Sequence, residues 1–422
     1  MMFTLDVSAL PDWRAIPAPR RAEILYRVAE RLRERQTELA KVITDEVGKS
    51  AEEAWAEVQE AIDSGYYMAG EGRRCFGITT PSELPNKFAM TVREPVGVVA
   101  AITAWNFPIA VPAWKIFPAL VLGNIVAWKP SEHAPRCAMA LREIFLAAGL
   151  PANVLQLFLG DASVGRWLVE HPAVDVVSFT GSATNGREVA ATCGRLGKRC
   201  ALELGGKNAI IVWEDADLEL AVDGIIWSAF GTAGQRCTSC SRVIVHEPIR
   251  EPLTQMLIKR TQQLSVGRLI HPRARERCER YVADAVAAGA RRLTDWPVLL
   301  DQVTPQMPVA QEEIFGPVCV ILPARDWEEA VRINNDVPYG LVSALYTRDV
   351  NRAFRAMREL RSGLVYINAG TIGSEVHLPF GGPRVTGNGW REAGPAALDT
   401  YSEWKTIYVD FSGRLQRAQM DR

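Results

Sequence analysis

The 422-residue chain is 48% hydrophobic and carries 48 lysines and arginines against 49 aspartates and glutamates, enough apolar material for two or three domains with their own cores. So balanced a charge gives no field to draw it to nucleic acid or an acidic membrane surface, and no stretch reaches the ~18 consecutive apolar residues of a membrane span. The opening MMFTLDVSALPDWRAIPAPRR has no basic segment followed by an apolar run, so the expectations are a cytoplasmic location, no nucleic-acid partner and no membrane partner.

From Ala18 to Gly72 the chain is strongly helical: RRAEILYRVAERLRERQTELAKVITDEVGK spaces apolar residues by three and four between charges, which predicts two or three surface helices. Residues 80–95, TPSELPNKFAMTVREP, are proline-punctuated and then extended, as in a crossing strand or hairpin. VGVVAAITAW follows, a nearly continuous apolar run of the kind buried on both faces of a parallel sheet. Strands and helices then alternate, with strands expected at Val98–Ile102, Ile125–Lys129, Val154–Leu159 and Val174–Phe179, the pattern of a doubly wound α/β unit. A second α/β unit follows Glu203, with strands near Ala209–Val212, Ser241–Val245, Val318–Leu322 and Gly363–Ile367. The tail EWKTIYVDFSGRL alternates as a further strand, suited to pair with another subunit's edge.

Eight cysteines in a chain of this length are not a disulfide framework. Cys75, Cys137, Cys193, Cys200, Cys278 and Cys319 stand singly, while Cys237 and Cys240 form C-x-x-C within FGTAGQRCTSC. A zinc site needs four ligands, and none of the five histidines falls near a second cysteine pair. A dithiol couple would open a helix in a small βαβ domain. A nucleophile would need a base and an oxyanion donor elsewhere in the chain. At this level the three readings stay open.

Three strand ends in the first unit carry polar or glycine-rich turns: TAWNFP; VAWKPSEHAP, with Lys129 and Glu132; and VVSFTGSATNGRE, with Thr180, Gly181 and Ser182 before a helix. A nucleotide lies at the carboxyl edge of such a sheet, and a helix amino terminus attracts phosphate, so a dinucleotide is the natural ligand although G-x-G-x-x-G is absent. ALELGGKNAII supplies Glu203 and TAWNFPIAVPAWK supplies Asn106. With Cys237 they make a thiolate, a carboxylate and an amide donor, the parts of covalent acyl chemistry.

AWNFPIAVPAWKIFPALVLGN, WKPSE, SFTGS, LELGGKNA, FGTAGQRCTS, QEEIFGPV and LPFGGPRVTGNGWREAG occur in an order and spacing that resemble the NAD(P)-dependent aldehyde dehydrogenases, over about residues 18–415. The resemblance implies a doubly wound, Rossmann-like NAD-binding domain (1–82 and 96–205), an α/β catalytic domain (206–400) and a small β oligomerisation arm (83–95 and 401–422). It makes Cys237 the nucleophile toward a small-molecule aldehyde. Asn106 and the Cys237 amide would hold the oxyanion, and Glu203 would activate water against the thioester. Lys115 and Glu403 match positions of proton traffic. Lys129 and Glu132 would face the adenosine ribose, Gly181 and Ser182 the pyrophosphate, and Glu313 the nicotinamide ribose, with Trp105 and Phe315 lining the cofactor site. No metal is implied, and Cys240 matches no catalytic position. The Glu132 carboxylate can accept from both ribose hydroxyls but repels a 2′-phosphate, so NAD is favoured, with NADP possible. The nearest subfamily resemblance is to α-aminoadipic semialdehyde dehydrogenases, in which positions matching Arg236 and Glu60 meet the substrate's carboxylate and amino group. A homodimer or homotetramer is implied. Two other functions fit the same motifs. One is a catalytically impaired nucleotide-binding or structural relative, since the stretch between Gly267 and Glu312 is shorter than in the family; the other is a CoA-acylating enzyme, which has no need of Glu203 as a hydrolytic base.

Overall fold

Four helices, α1 (Leu10–Ala15), α2 (Ala18–Glu34), α3 (Gln36–Val47) and α4 (Ala51–Glu71), begin the computed structural model, which describes residues 3–421. Residues 1–2 and 422, the outermost parts of the first and last expected segments, lie outside the described residues. The three-four spacing of α2 buries Leu25, Val28 and Leu32 on one side. Between α3 and α4 the chain turns at Gly48, whose φ of +88° is open to glycine at little cost. It re-enters helix at Ser50, where a capping box joins the Ser50 hydroxyl to the Glu53 amide and the Glu53 carboxylate to the Ser50 amide.

After β1 (Thr79–Pro81) and β2 (Lys87–Pro95), the chain alternates β3 (Val98–Ile102), α5 (Ala110–Leu122), β4 (Ile125–Lys129), α6 (Pro135–Ala147), β5 (Leu155–Leu157), α7 (Ala162–Glu170), β6 (Val176–Thr180), α8 (Ala183–Leu196) and β7 (Arg199–Glu203). The five strands form a parallel sheet in the order β5-β4-β3-β6-β7. Winding runs outward from β3 through β4 to β5 and then returns to place β6 on the other side of β3. The switch point of this doubly wound sheet therefore lies between β3 and β6, and a crevice opens at their carboxyl ends. All five residues of β3 and of β4 are buried, as their apolar runs require.

The second unit contains β8 (Asn208–Val212), β9 (Cys240–His246), β10 (Arg291–Arg292), β11 (Val298–Asp301), β12 (Val318–Ala324), β13 (Val342–Tyr346) and β14 (Leu364–Ile367). Their order is β10-β11-β12-β9-β8-β13-β14, parallel except for the short β10 edge. Only Leu204 to Lys207 separate β7 from β8, so the amino ends of β8 and β9 meet the carboxyl edge of the first sheet. A third sheet, β1-β2-β15, pairs β2 with β15 (Ser402–Asp410) from Lys87 opposite Asp410 to Pro95 opposite Ser402.

Four strands, β7, β10, β11 and β13, lie outside the expected set, and β5 stops at Leu157 rather than Leu159 because it is a sheet edge followed by the turn at Gly160, φ +148°.

Candidate active site

A cleft of about 1050 Å³ lies where the turns after β3, β6 and β7 meet the segment leading into β9, and Cys237 lines it. The thiol is carried there by a left-handed path: Thr232 and Ala233 each have φ 52° and Gly234 has φ 69°. Two consecutive non-glycine residues in this region cost about 1–3 kcal/mol each and persist only where the surroundings over-determine them. A Cβ on Gly234 would stand 2.4 Å from the Gly316 carbonyl oxygen, so the third position is restricted to glycine by contact as well. Bonds from several directions hold the path. The Gln235 amide donates to the Thr232 carbonyl (3.2 Å) and accepts from the Ile270 amide (2.9 Å). Asn208 Nδ2 donates to the carbonyls of Cys237 (2.7 Å) and Ser239 (3.0 Å), and the Thr371 hydroxyl donates to that of Thr238 (2.6 Å). Cys240, three residues on, is buried at the start of β9 with its thiol on the Arg242 carbonyl (3.4 Å), away from the cleft lining.

Asn106 is buried in the turn after β3, and its Nδ2 donates to the Gln235 carbonyl at 3.1 Å, two residues before the thiol. Glu203 ends β7, buried, with no hydrogen-bond partner on either carboxylate oxygen among the described residues. Glycine again makes room, since a Cβ on Gly381 would lie 2.3 Å from Glu203 Oε1. Burial first, and then the charge of Glu392, push the Glu203 carboxyl well above its ordinary range, against the opposing pull of Lys115 and Arg391. Burial, followed by Glu313 and Glu203, pushes the Cys237 thiol up to about 12.

Lys115 is fully buried on α5, ion-paired with Glu392 and donating to the Ser178 hydroxyl (3.0 Å), which also accepts from Tyr401 (3.0 Å). Glu403 is not brought to this cluster. It stands on β15 opposite Glu94, with its side chain 63% exposed and paired with Arg199, so the proton-traffic position expected of it is corrected. Sequence reasoning misses Glu392, although its stretch, GNGWREAG, is one that carries the family resemblance. It is the carboxylate that lies beside both Lys115 and Glu203 and lines the cleft.

Gly181 and Ser182 precede α8, where the Ser182 hydroxyl caps the Asn185 amide (3.3 Å). Ala183 and Thr184 in the first turn of α8 line the cleft, and the first amides of any helix lack intrahelical partners. The buried Thr180 hydroxyl nearby has no hydrogen-bond partner among the described residues. Glu313 accepts from the Gly206 amide (3.1 Å) and presses so closely on Gly205 that a Cβ there would lie 2.2 Å from its oxygen. Its carboxyl is raised to about 7 by burial, against the Gly206 bond. Trp105 and Phe315 meet edge to face at 5.6 Å on the cleft wall. Lys129 and Glu132 sit at the end of β4 and in the turn beyond it, 3.4 Å apart, outside the cleft lining but on the same carboxyl edge as β3. A helix terminus with free amides, an unpartnered hydroxyl and carboxylates at separate distances along one edge suit the phosphates and riboses of a dinucleotide.

Glu60 and Arg236 both line the cleft. Arg236 lies between the rings of Phe107 (5.2 Å) and Trp227 (5.3 Å), with Nε on the Thr232 hydroxyl (2.9 Å) and one terminal nitrogen 3.4 Å from Glu53. Burial and the neighbouring Glu57 raise the Glu60 carboxyl to about 7.

Comparison with known proteins accords with this geometry. The aldehyde dehydrogenase family model matches residues 6–407. An alpha-ketoglutarate semialdehyde dehydrogenase of Haloferax volcanii is 38% identical, the match covering 96% of this chain and 89% of that protein. A betaine aldehyde dehydrogenase of Brucella anthropi is 36% identical over 97% of this chain and 88% of its own. Among solved structures, a betaine aldehyde dehydrogenase from Staphylococcus aureus in complex with NAD+ superposes with a TM-score of 0.93 at 32% identity, over 97% of this chain and 86% of that one. An E. coli NADP dependent enzyme does so with a TM-score of 0.93 at 35% identity, over 96% and 88%.

Proposed function

The chain belongs to the aldehyde dehydrogenase family, an NAD(P)-dependent enzyme that oxidises aldehydes to carboxylic acids, and from that premise we propose that Cys237 is its nucleophile, Asn106 its oxyanion donor and Glu203 its base. The observation that carries this reading is the convergence of the three on one cleft, with Asn106 tied to the cysteine loop and Glu203 buried without a partner. NAD(P), when bound, accepts a hydride from the substrate carbon. The Cys237 sulfur attacks the aldehyde carbon, and the oxygen that gains charge is held by the Asn106 amide and the Cys237 backbone N–H. A thiol raised to about 12 needs a base to ionise it, and a carboxylate whose own affinity for protons is raised takes a proton more readily than an ordinary one. After the thioester forms, Glu203 removes a proton from water, the water oxygen bonds to the carbonyl carbon, and the C–S bond breaks to release the acid. The Glu392–Lys115 pair, with Ser178 and Tyr401 behind it, is the route by which that proton leaves Glu203.

The substrate is a semialdehyde with a charged far end, preferably an amino-acid semialdehyde. Arg236 keeps one terminal nitrogen clear of its bonds to Thr232 and Glu53 and faces a carboxylate, while Glu60 has no hydrogen-bond partner among the described residues and faces an amino group. The relatives named for alpha-ketoglutarate semialdehyde support a carboxylate-bearing aldehyde. NAD is preferred over NADP through Glu132. Residues 1–82 and 96–205 form the cofactor unit and 206–400 the catalytic unit. The protein is a homodimer or homotetramer in which the arm pairs with a second subunit: β14 and β15 are edge strands, and Trp404, Tyr408 and Phe411 are exposed on and beside the arm. Its location is cytoplasmic; no helix among the described residues is long and apolar enough to cross a membrane.

The test is a panel of aldehydes that includes amino-acid semialdehydes, with NAD or NADP, followed by reduced-cofactor absorbance and mass spectrometry of products. Free acid as product supports hydrolysis; an acyl-CoA formed only when CoA is added would replace Glu203 as the second-step base.

A further inference from the structure

Glu53, Glu57 and Glu60 recur at helical spacing on α4, and all three line the cleft. Glu60 is open to it, but the other two are engaged. Glu57 is 1% exposed; one oxygen accepts from the backbone amides of Ile109 (2.8 Å) and Ala110 (3.3 Å), and the other from Lys49 Nζ (2.6 Å). Those amides open α5, which has no capping side chain of its own, only three and four residues after Asn106. Lys49 Nζ in turn lies 3.4 Å from the centre of the Phe107 ring, the residue next to Asn106. Glu53 meanwhile accepts from the Thr232 amide and hydroxyl (3.1 Å to the hydroxyl) at the left-handed turn before Cys237. One helix is thus bonded to both loops whose separation decides whether an amide can reach the oxygen of a carbon attached to the thiol.

An ion pair buried on both sides does little for stability, because desolvation offsets most of its attraction. Its geometry does more: a carboxylate fixed by Lys49 presents one oxygen to a helix start and sets the direction of the turn before it. We infer that Glu57, held by Lys49, is a positioning residue that aims the Asn106 amide at the oxyanion. It touches no reacting atom. The inference rests on the role proposed for Asn106.

Because a lone Lys49 would be a buried unpaired charge, the test uses two double variants, Lys49→Met/Glu57→Gln and Lys49→Met/Glu57→Leu, beside Asn106→Ala. Glutamine keeps an oxygen for the Ile109 and Ala110 amides; leucine does not. The readouts are the rate of the first-turnover NADH burst and the rate at which Cys237 is alkylated by iodoacetamide without cofactor. The glutamine pair should keep the burst rate within several-fold. The leucine pair should lose roughly 10²- to 10³-fold, as when an oxyanion donor is removed, with alkylation within about two-fold of wild type. Equal bursts in the two pairs, or alkylation falling in parallel with the burst, would overturn the positioning role. A burst that survives in Asn106→Ala would instead sink the oxyanion assignment, which keeps the two failures apart.

Discussion

The Asn106 side-chain amide donates to the Gln235 carbonyl at 3.1 Å, so the turn that ends the first strand of the cofactor sheet is bonded to the loop that carries Cys237. One amide hydrogen holds the loop and the second is free for the substrate oxygen. Asn106→Ala should lower kcat by roughly 10²- to 10³-fold. Asn106→Asp should be at least as damaging, since it places a charge where negative charge develops. A rate within a few-fold of wild type in either variant would count against the assignment, with circular dichroism confirming that both are folded.

Glu132→Gln should relax selectivity toward NADP by removing repulsion of a 2′-phosphate, with Lys129, 3.4 Å away, left to attract it. The change should appear mainly as a lower KM for NADP. An unaltered NAD to NADP preference would show that the turn after β4 does not meet the ribose.

Glu60 gives a prediction about stability against pH. Its carboxyl is raised to about 7 in the folded protein, above the ordinary value of 4.5. Between those values the unfolded chain has released its proton while the folded chain still holds it, so stability falls as pH rises through this window and levels off above it. Glu60→Gln should therefore match wild type in thermal unfolding at pH 4 and exceed it at pH 8. The same variant should raise KM for an amino-acid semialdehyde more than for a simple aliphatic aldehyde. Identical melting at both pH values would place the Glu60 carboxyl in water, and equal KM changes would remove it from the substrate site.

The buried runs were the most legible part of the fold. VGVVAAI and NIVAWK read as two-sided strands and became β3 and β4, because a parallel sheet demands continuous apolar sequence. RCALE was obscured by its charged, half-buried start, and VSALY by Ser343, whose hydroxyl is satisfied by Asn334 (2.9 Å) and the Ser362 hydroxyl (2.6 Å), nine and nineteen residues away. At the site, Cys237, Asn106 and Glu203 were legible as reactive types in glycine-rich turns. Glu392 was not, for nothing local in GNGWREAG says that its carboxylate will meet a buried lysine on α5; that pairing is made by the fold across 277 positions of sequence. Glu403 drew attention instead from a sequence stretch that lies on the arm.

The cluster behind Glu203 predicts a pH effect with a definite sign. Glu392 raises the Glu203 carboxyl more than Lys115 lowers it. Removing both in Lys115→Met/Glu392→Gln, which leaves no unpaired buried charge, should lower the pH at which Glu203 ionises. Where thioester hydrolysis limits turnover, the rising limb of the kcat profile should move toward acid, even if the loss of the proton route lowers its plateau. A limb that stays in place, or moves toward alkali, would mean that Glu203 does not feel Glu392 in the acyl-enzyme.

The two chemical roles are separated in time, so the decisive variants should fail at different stages. Cys237→Ser should show no NADH burst, because a hydroxyl without a strong base is a far poorer nucleophile than a thiolate. Glu203→Gln keeps the thiol and the Asn106 amide but loses the base for water, a contribution of roughly 10²- to 10⁴-fold. If ionisation of the thiol proceeds without Glu203, this variant should release close to one NADH per active site and then turn over slowly, with an acyl adduct on Cys237 found by intact-mass measurement during the slow phase. If Glu203 also removes the thiol proton, as a thiol raised to about 12 suggests, the burst should be slow at neutral pH and recover as the pH is raised, while hydrolysis does not. Normal steady turnover in Glu203→Gln would defeat the assignment of the base, and an adduct on the buried Cys240 in place of Cys237 that of the nucleophile.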